Sequence, residues 1–119
     1  RSIKVATPFL GSTAVGDSMM LSAIQQVELD EGTFKYVLIL AKEPTTGASK
    51  LLVRGYQGCE FHADVLATAA DRLRTLEQLQ LDCLGGGRIA HDRATKTVRI
   101  YGYSQGFGRA DHAQSYKLC

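Results

Sequence analysis

The chain has 119 residues, 45% hydrophobic and 22% charged, which suits one compact domain able to bury about two thirds of its unfolded surface. Fourteen Lys and Arg against twelve Asp and Glu leave a net charge of +2 with the signs interspersed, so no nucleic-acid partner is expected. The longest apolar run, residues 36–41, is strand-sized and far below the roughly 18 residues of a membrane span, so a soluble protein is expected. Cys59, Cys83 and Cys119 cannot all pair among themselves and lack the spacing of a disulfide-stapled scaffold. That pattern points to a reducing intracellular compartment, cytoplasmic or organellar.

Residues 1–26 contain Pro8, Gly11 and Gly16 and show no sustained period, so they read as an N-terminal arm. Arg1 and Lys4 with no acid before Asp17 also suit the remnant of an organellar targeting region, and a start at Arg1 suggests a processed form or a fragment. Regular structure is expected from Val27-Glu28-Leu29 onward. The β-rich runs 34–40 and 50–54, separated by Glu43-Pro44-Thr45-Thr46-Gly47, predict an antiparallel hairpin. From Ala63 the period changes: Leu66, Ala69, Leu73, Leu76 and Leu79 recur three or four apart, predicting an amphipathic helix over 63–80. Residues 81–91 and 97–104, joined by Asp92-Arg93-Ala94-Thr95-Lys96, predict a second hairpin. The order β-β-α-β-β implies a single α+β domain, a mixed, mostly antiparallel sheet with a helix packed on it.

Two glycine-bearing tracts carry the chemistry, Cys83-Leu84-Gly85-Gly86-Gly87-Arg88-Ile89-Ala90-His91 and Tyr101-Gly102-Tyr103-Ser104-Gln105-Gly106-Phe107-Gly108. Consecutive glycines let amides converge on one point and Arg88 adds a planar cationic fork, so together they suit an anion, above all phosphate. A β-bulge permitting close packing is the rival reading for Gly85 and Gly86. Gly85-x-Gly87-x-x-Ala90 matches the dinucleotide fingerprint in letters, but it does not open a predicted helix, and no glycine precedes a lysine as a P-loop requires. Cys59-x-x-His62 with Cys83, His91 and His112 has no second ligand pair at zinc spacing, so no metal is expected.

His62 falls at the predicted helix start, where unpaired amides and the positive end of the dipole keep an imidazole neutral and bind phosphate oxygens beside it. A neutral imidazole there can act as nucleophile or base near pH 7. Taken singly, His62 could be a capping residue, Lys35 and Arg54 solvent-facing strand charges, and the segment at Ser104 and Gly106 an ordinary turn.

Several linked segments resemble the protein-histidine phosphatases of the Janus/Ocnus family, in that family's order and over roughly residues 27–115. They are Phe34-Lys35-Tyr36-Val37-Leu38-Ile39, Val53-Arg54-Gly55-Tyr56, Phe61-His62-Ala63-Asp64, the run from Cys83 to His91, and the run from Tyr101 to His112, whose tail is similar to the insect Janus-A type. The resemblance implies that residues 27–119 form a phosphohistidine-phosphatase-like domain and that His62 is the catalytic histidine. It further implies that Lys35, Ala63, Arg88, Ser104 and the Gly106 amide hold the phosphoryl group, with Arg54 and the triplet Gly85, Gly86 and Gly87 in support or against a protein substrate. Family members continue through a second helix and a last strand, both expected to be absent here. Their loss would expose a strand edge and apolar sheet surface that a partner chain could cover.

The activity so implied is metal- and cofactor-independent hydrolysis of the P–N bond of phosphohistidine in a protein substrate, with phospholysine left open as a second substrate. The resemblance leaves two other readings standing: a noncatalytic subunit with a structural role in a larger assembly, and a phosphopeptide-binding module without turnover.

Overall fold

The computed structural model describes residues 2–5, 21–44, 46–73 and 79–119. Six strands, β1 (Ser2–Val5), β2 (Val27–Leu29), β3 (Gly32–Lys42), β4 (Ser49–Gly55), β5 (Leu79–Asp92) and β6 (Thr97–Tyr101), form one sheet. Its order is β1-β5-β3-β4-β2, with β6 beside the C-terminal half of β5. All pairings are antiparallel except β2 with β4. Both expected hairpins are present, as β3–β4 and β5–β6.

Strand β3 is buried on both faces, which is why its sequence reads as a nearly unbroken apolar run. Val37, Ile39 and Ala41 face helix α1 (His62–Leu73), whose Val65, Leu66, Ala69 and Leu73 repeat at helical spacing and complete one core. Phe34, Tyr36 and Leu38 point the other way, into a second core with Val53, Ile89 and Ala110. Leu118 of helix α2 (His112–Leu118) packs against that second core. Asp111 caps α2 by accepting the Gln114 N–H at 3.1 Å, the short-range bond that makes aspartate a good helix start.

Three features depart from the sequence reading. Regular structure begins before Val27, because Ser2–Val5 adds β1 along residues 79–82 of β5. No local pattern announces a strand whose partner lies so far along the chain. Helix α1 does not run to residue 80: Leu79 and Gln80 belong to β5, paired with Val5 and Lys42, while Leu76 lies outside the described residues. Leu79 kept the helical period only because a strand residue buried in the same core is apolar too. Finally, the stretch expected to lack a second helix forms α2, which brings Ser115 and Leu118 onto the sheet.

The glycine run of β5 lies at a bulge. Leu38 faces Gly85 whereas Ile39 faces Cys83, so Leu84 is the extra residue, and Gly85 takes φ +148°. Residues 109–110 cross there so closely that a Cβ at Gly85 would stand 2.6 Å from the Ala110 nitrogen.

Candidate active site

Six of the expected residues, Lys35, His62, Ala63, Arg88, Ser104 and Gly106, line one cavity of about 680 Å³. The elements that bring them together are β3, β5, the start of α1 and the loop after β6. Lys35 and Arg88 are register partners on adjacent strands, so both project on the α1 side of the sheet. The Lys35 ammonium donates to the Glu60 carbonyl and lies 5.7 Å from the centre of the Phe61 ring, which ties the strand to the segment entering α1.

The sequence Phe61-His62-Ala63-Asp64 makes its own helix start. Asp64 accepts the Phe61 N–H at 2.9 Å and places an acid in the first turn, complementing the dipole. Residues 62 and 63 precede the first intrahelical donors, and their amides bond no acceptor among the described residues. They are therefore available to an anion in the cavity.

His62 is 9% exposed. Its ring lies against Gly86, where a Cβ would stand 2.6 Å from the imidazole Cδ2, so only glycine admits the ring at this distance. Nε2 donates to the Gly87 carbonyl at 2.8 Å; the carbonyl has no proton to give, so Nε2 holds the hydrogen and the neutral ring keeps its lone pair on Nδ1. Burial holds the His62 pKa below the usual histidine value; the Gly87 carbonyl opposes this, and the Lys35 and Arg88 charges reinforce it. A buried, tautomer-fixed, neutral imidazole beside two cations results.

The loop after β6 is fixed at both ends. Ser104 and Gly108 exchange backbone hydrogen bonds at 3.1 and 2.8 Å, and the buried Ser104 Oγ accepts the Phe107 N–H at 3.1 Å. The Gly86 N–H donates to the Gly108 carbonyl at 2.9 Å, and the Ala110 N–H to the Gly86 carbonyl at 3.1 Å. This strap explains why Gly85, Gly86 and Gly87 do not form the expected anion cradle. They are strand residues behind the cavity, and the Gly86 amide is spent on Gly108. Their glycine character admits the His62 ring and the crossing chain.

Arg54 is also placed elsewhere. Its guanidinium is buried and donates to the Gln26 and Val53 carbonyls at 3.0 and 2.9 Å and to the Gln25 carbonyl at 2.5 Å, fastening residues 25–26 to β4. It does not line the cavity. Glu28, beside it, accepts from Tyr56 and from Arg72, so these charges form a structural knot.

His112 is the residue that sequence reasoning missed. Its Nε2 donates to the Gly102 carbonyl at 2.6 Å and its Nδ1 lies 2.7 Å from the Tyr36 hydroxyl, with Ser115 Oγ 3.0 Å from that hydroxyl. The ring packs on Gly87, where a Cβ would stand 2.6 Å from His112 Cε1. His112 thus anchors the first residue of the cavity-lining loop and backs the glycine whose carbonyl holds His62. In the sequence His112 stands out only as one of the scattered nominal metal ligands and as the end of the family-like tail, neither of which points to an anchoring role. Among the described residues no three His, Cys, Asp or Glu side chains gather into a metal-binding group.

This arrangement can hold a multiply charged anion through two side-chain cations and helix-start amides while presenting one uncharged imidazole nitrogen. A sequence model of the Janus/Ocnus family matches residues 21–119. The "sex-regulated protein janus-A" of Drosophila pseudoobscura pseudoobscura is 45% identical over 103 residues, covering 82% of this chain and 68% of that protein. The janus-A protein of Drosophila yakuba is 47% identical over 88 residues, covering 74% of this chain and 64% of that protein. The "14 kDa phosphohistidine phosphatase" of Sus scrofa is 43% identical over 101 residues, covering 80% of this chain and 79% of that protein. The chain thus spans about two thirds of the length of its janus-A relatives. With the family match running from the edge of the first core to the last residue, and with these identities, the chain belongs to the Janus/Ocnus family.

Proposed function

We propose that this chain is a protein phosphohistidine phosphatase, hydrolysing the P–N bond of a phosphorylated histidine in a protein substrate. The observation that carries the reading is His62: a buried imidazole whose Nε2 is committed to Gly87 and whose Nδ1 lone pair shares a cavity with Lys35 and Arg88. The name of the Sus scrofa relative supports the same substrate class.

The substrate P–N bond is weak once the leaving ring is protonated at its other nitrogen, so catalysis asks mainly for positioning and charge neutralisation. Lys35, Arg88, Ser104 and the amides of Ala63 and Gly106 hold the phosphoryl oxygens. His62 then acts in one of two ways. As nucleophile, Nδ1 forms a new P–N bond as the substrate P–N bond breaks and its electron pair returns to the leaving imidazole; water later attacks phosphorus and frees His62. As general base, Nδ1 takes a proton from the water that attacks phosphorus directly. Neither route draws on a metal.

The test is phosphate release from a phosphohistidine peptide by the purified chain, measured with and without a chelator. Release that saturates with substrate and ignores the chelator is expected. Saturable binding without release would make the protein a phosphopeptide-binding module, and neither binding nor release would leave a structural subunit.

A further inference from the structure

The cavity has a rim that its phosphate chemistry does not use. Phe61 is 60% exposed and Tyr103 is 63% exposed, and both line the same cavity as His62, Lys35 and Arg88. A single exposed aromatic ring is ordinary on a protein surface; two at one mouth, from separate elements, are not accounted for by packing. Phe61 enters α1 and Tyr103 sits one residue before Ser104 in the loop after β6. Phe61 is steadied by the Lys35 ammonium over its ring, yet most of its surface stays open to solvent.

We propose that Phe61 and Tyr103 are specificity-determining residues that hold the leaving imidazole ring of the substrate, so that the site selects phosphohistidine over phospholysine. The inference rests on the phosphatase reading above and adds the recognition of the leaving group. Its basis is the geometry of the two phosphoramidates. In phosphohistidine the planar ring is bonded directly to phosphorus, so a phosphoryl group held by Lys35 and Arg88 puts that ring beside the side chains lining the same cavity. In phospholysine the nitrogen carries a flexible tetramethylene chain with no face to stack. The protonated ring, the form with the weakened P–N bond, is also the one an aromatic face attracts most, by stacking and by cation–π attraction. When the P–N bond breaks, its electron pair returns to the ring nitrogen. The ring leaves neutral and the cation–π attraction is lost, which favours release.

The experiment uses two peptides of one sequence, carrying phosphohistidine or phospholysine at the same position. The readout is the ratio of kcat/KM on the first to kcat/KM on the second, for the unmodified chain and for Tyr103→Ala, Phe61→Ala, Phe61→Leu and the double alanine variant. In the double variant the ratio is expected to fall about tenfold, as two aromatic contacts of this kind imply, with Phe61→Leu closer to Phe61→Ala than to the parent. Tyr103→Ala keeps the proposal testable on its own, because Phe61 also carries Lys35. A ratio unchanged within twofold overturns the proposal, whether both activities fall together or neither falls. If the unmodified chain releases phosphate from neither peptide, the phosphatase reading itself fails and this inference fails with it; release from both with an unmoved ratio removes only this inference.

Discussion

His62 and His112 approach strand β5 from opposite faces at adjacent glycines, and each donates Nε2 to a backbone carbonyl, Gly87 at 2.8 Å and Gly102 at 2.6 Å. They differ in the second nitrogen. Nδ1 of His112 lies 2.7 Å from the Tyr36 hydroxyl and is hydrogen-bonded to it, so both ring nitrogens are spent on the scaffold. Nδ1 of His62 has no bonded partner among the described residues, and the ring lines the cavity. Two imidazoles with nearly equivalent anchors thus have different uses, and what separates them is whether a lone pair is left over for a ligand.

Replacing each in turn breaks the comparison most severely. His62→Ala is expected to lower phosphate release on the order of 10³-fold or more while the variant keeps its folded circular-dichroism spectrum. His112→Ala is expected to do the reverse. It strips the buried Tyr36 hydroxyl, a group whose pKa burial pushes up to about 12, of one of its two side-chain partners. That costs about 1–3 kcal/mol in denaturant unfolding, with a much smaller loss of turnover. Activity lost chiefly in the His112 variant would show that the scaffold assignment is inverted.

The glycines sharpen the same contrast at a smaller scale. A Cβ at Gly86 meets His62 Cδ2 at 2.6 Å and the Tyr36 carbonyl at 2.9 Å, whereas a Cβ at Gly87 meets the Tyr101 carbonyl at 2.5 Å and His112 Cε1 at 2.6 Å. Each alanine variant should lose about 1–3 kcal/mol of stability from overpacking. Only Gly86→Ala displaces the reactive ring directly. Turnover per folded molecule should therefore fall further in Gly86→Ala than in Gly87→Ala, by about tenfold for a misplacement of this order.

These glycines also show where a sequence stops being legible. Periodicity located β3, β4, β5, β6 and most of α1, because Val37, Ile39, Val65, Leu66 and Ala69 repeat at the spacing of their own elements. The resemblance named Lys35, His62, Ala63, Arg88, Ser104 and Gly106, and all six line one cavity. What the sequence did not carry was set by contacts between distant segments. The pairing of β1 with β5, the bonds from Arg54 to residues 25–26 and the clamp of His112 on Gly102 depend on partners that local spacing cannot point to. The glycine triplet reads as an anion cradle because conformational freedom is visible in a sequence, whereas the side chain that needs the empty space is not.

The smallest expected effect concerns the charge state that makes His62 useful. Its pKa lies below the ordinary histidine value, first through burial, with the Lys35 and Arg88 charges adding to the shift against the opposing Gly87 carbonyl. The neutral ring is the active form in either proposed route, so kcat/KM should decline only as pH falls through this lowered value, on the acid side of an exposed histidine. Arg88→Gln removes one of the two cations and raises the His62 pKa, so the acid limb of the pH profile should move to higher pH. Loss of phosphate affinity in that variant lowers the whole profile but does not move its limb. Substrate ionisation is common to parent and variant, and it cancels when only the displacement between the two limbs is read. A limb that stays fixed on removal of Arg88 would assign the ionisation to the substrate, and the neutral His62 would then lose its place as the group that sets the rate.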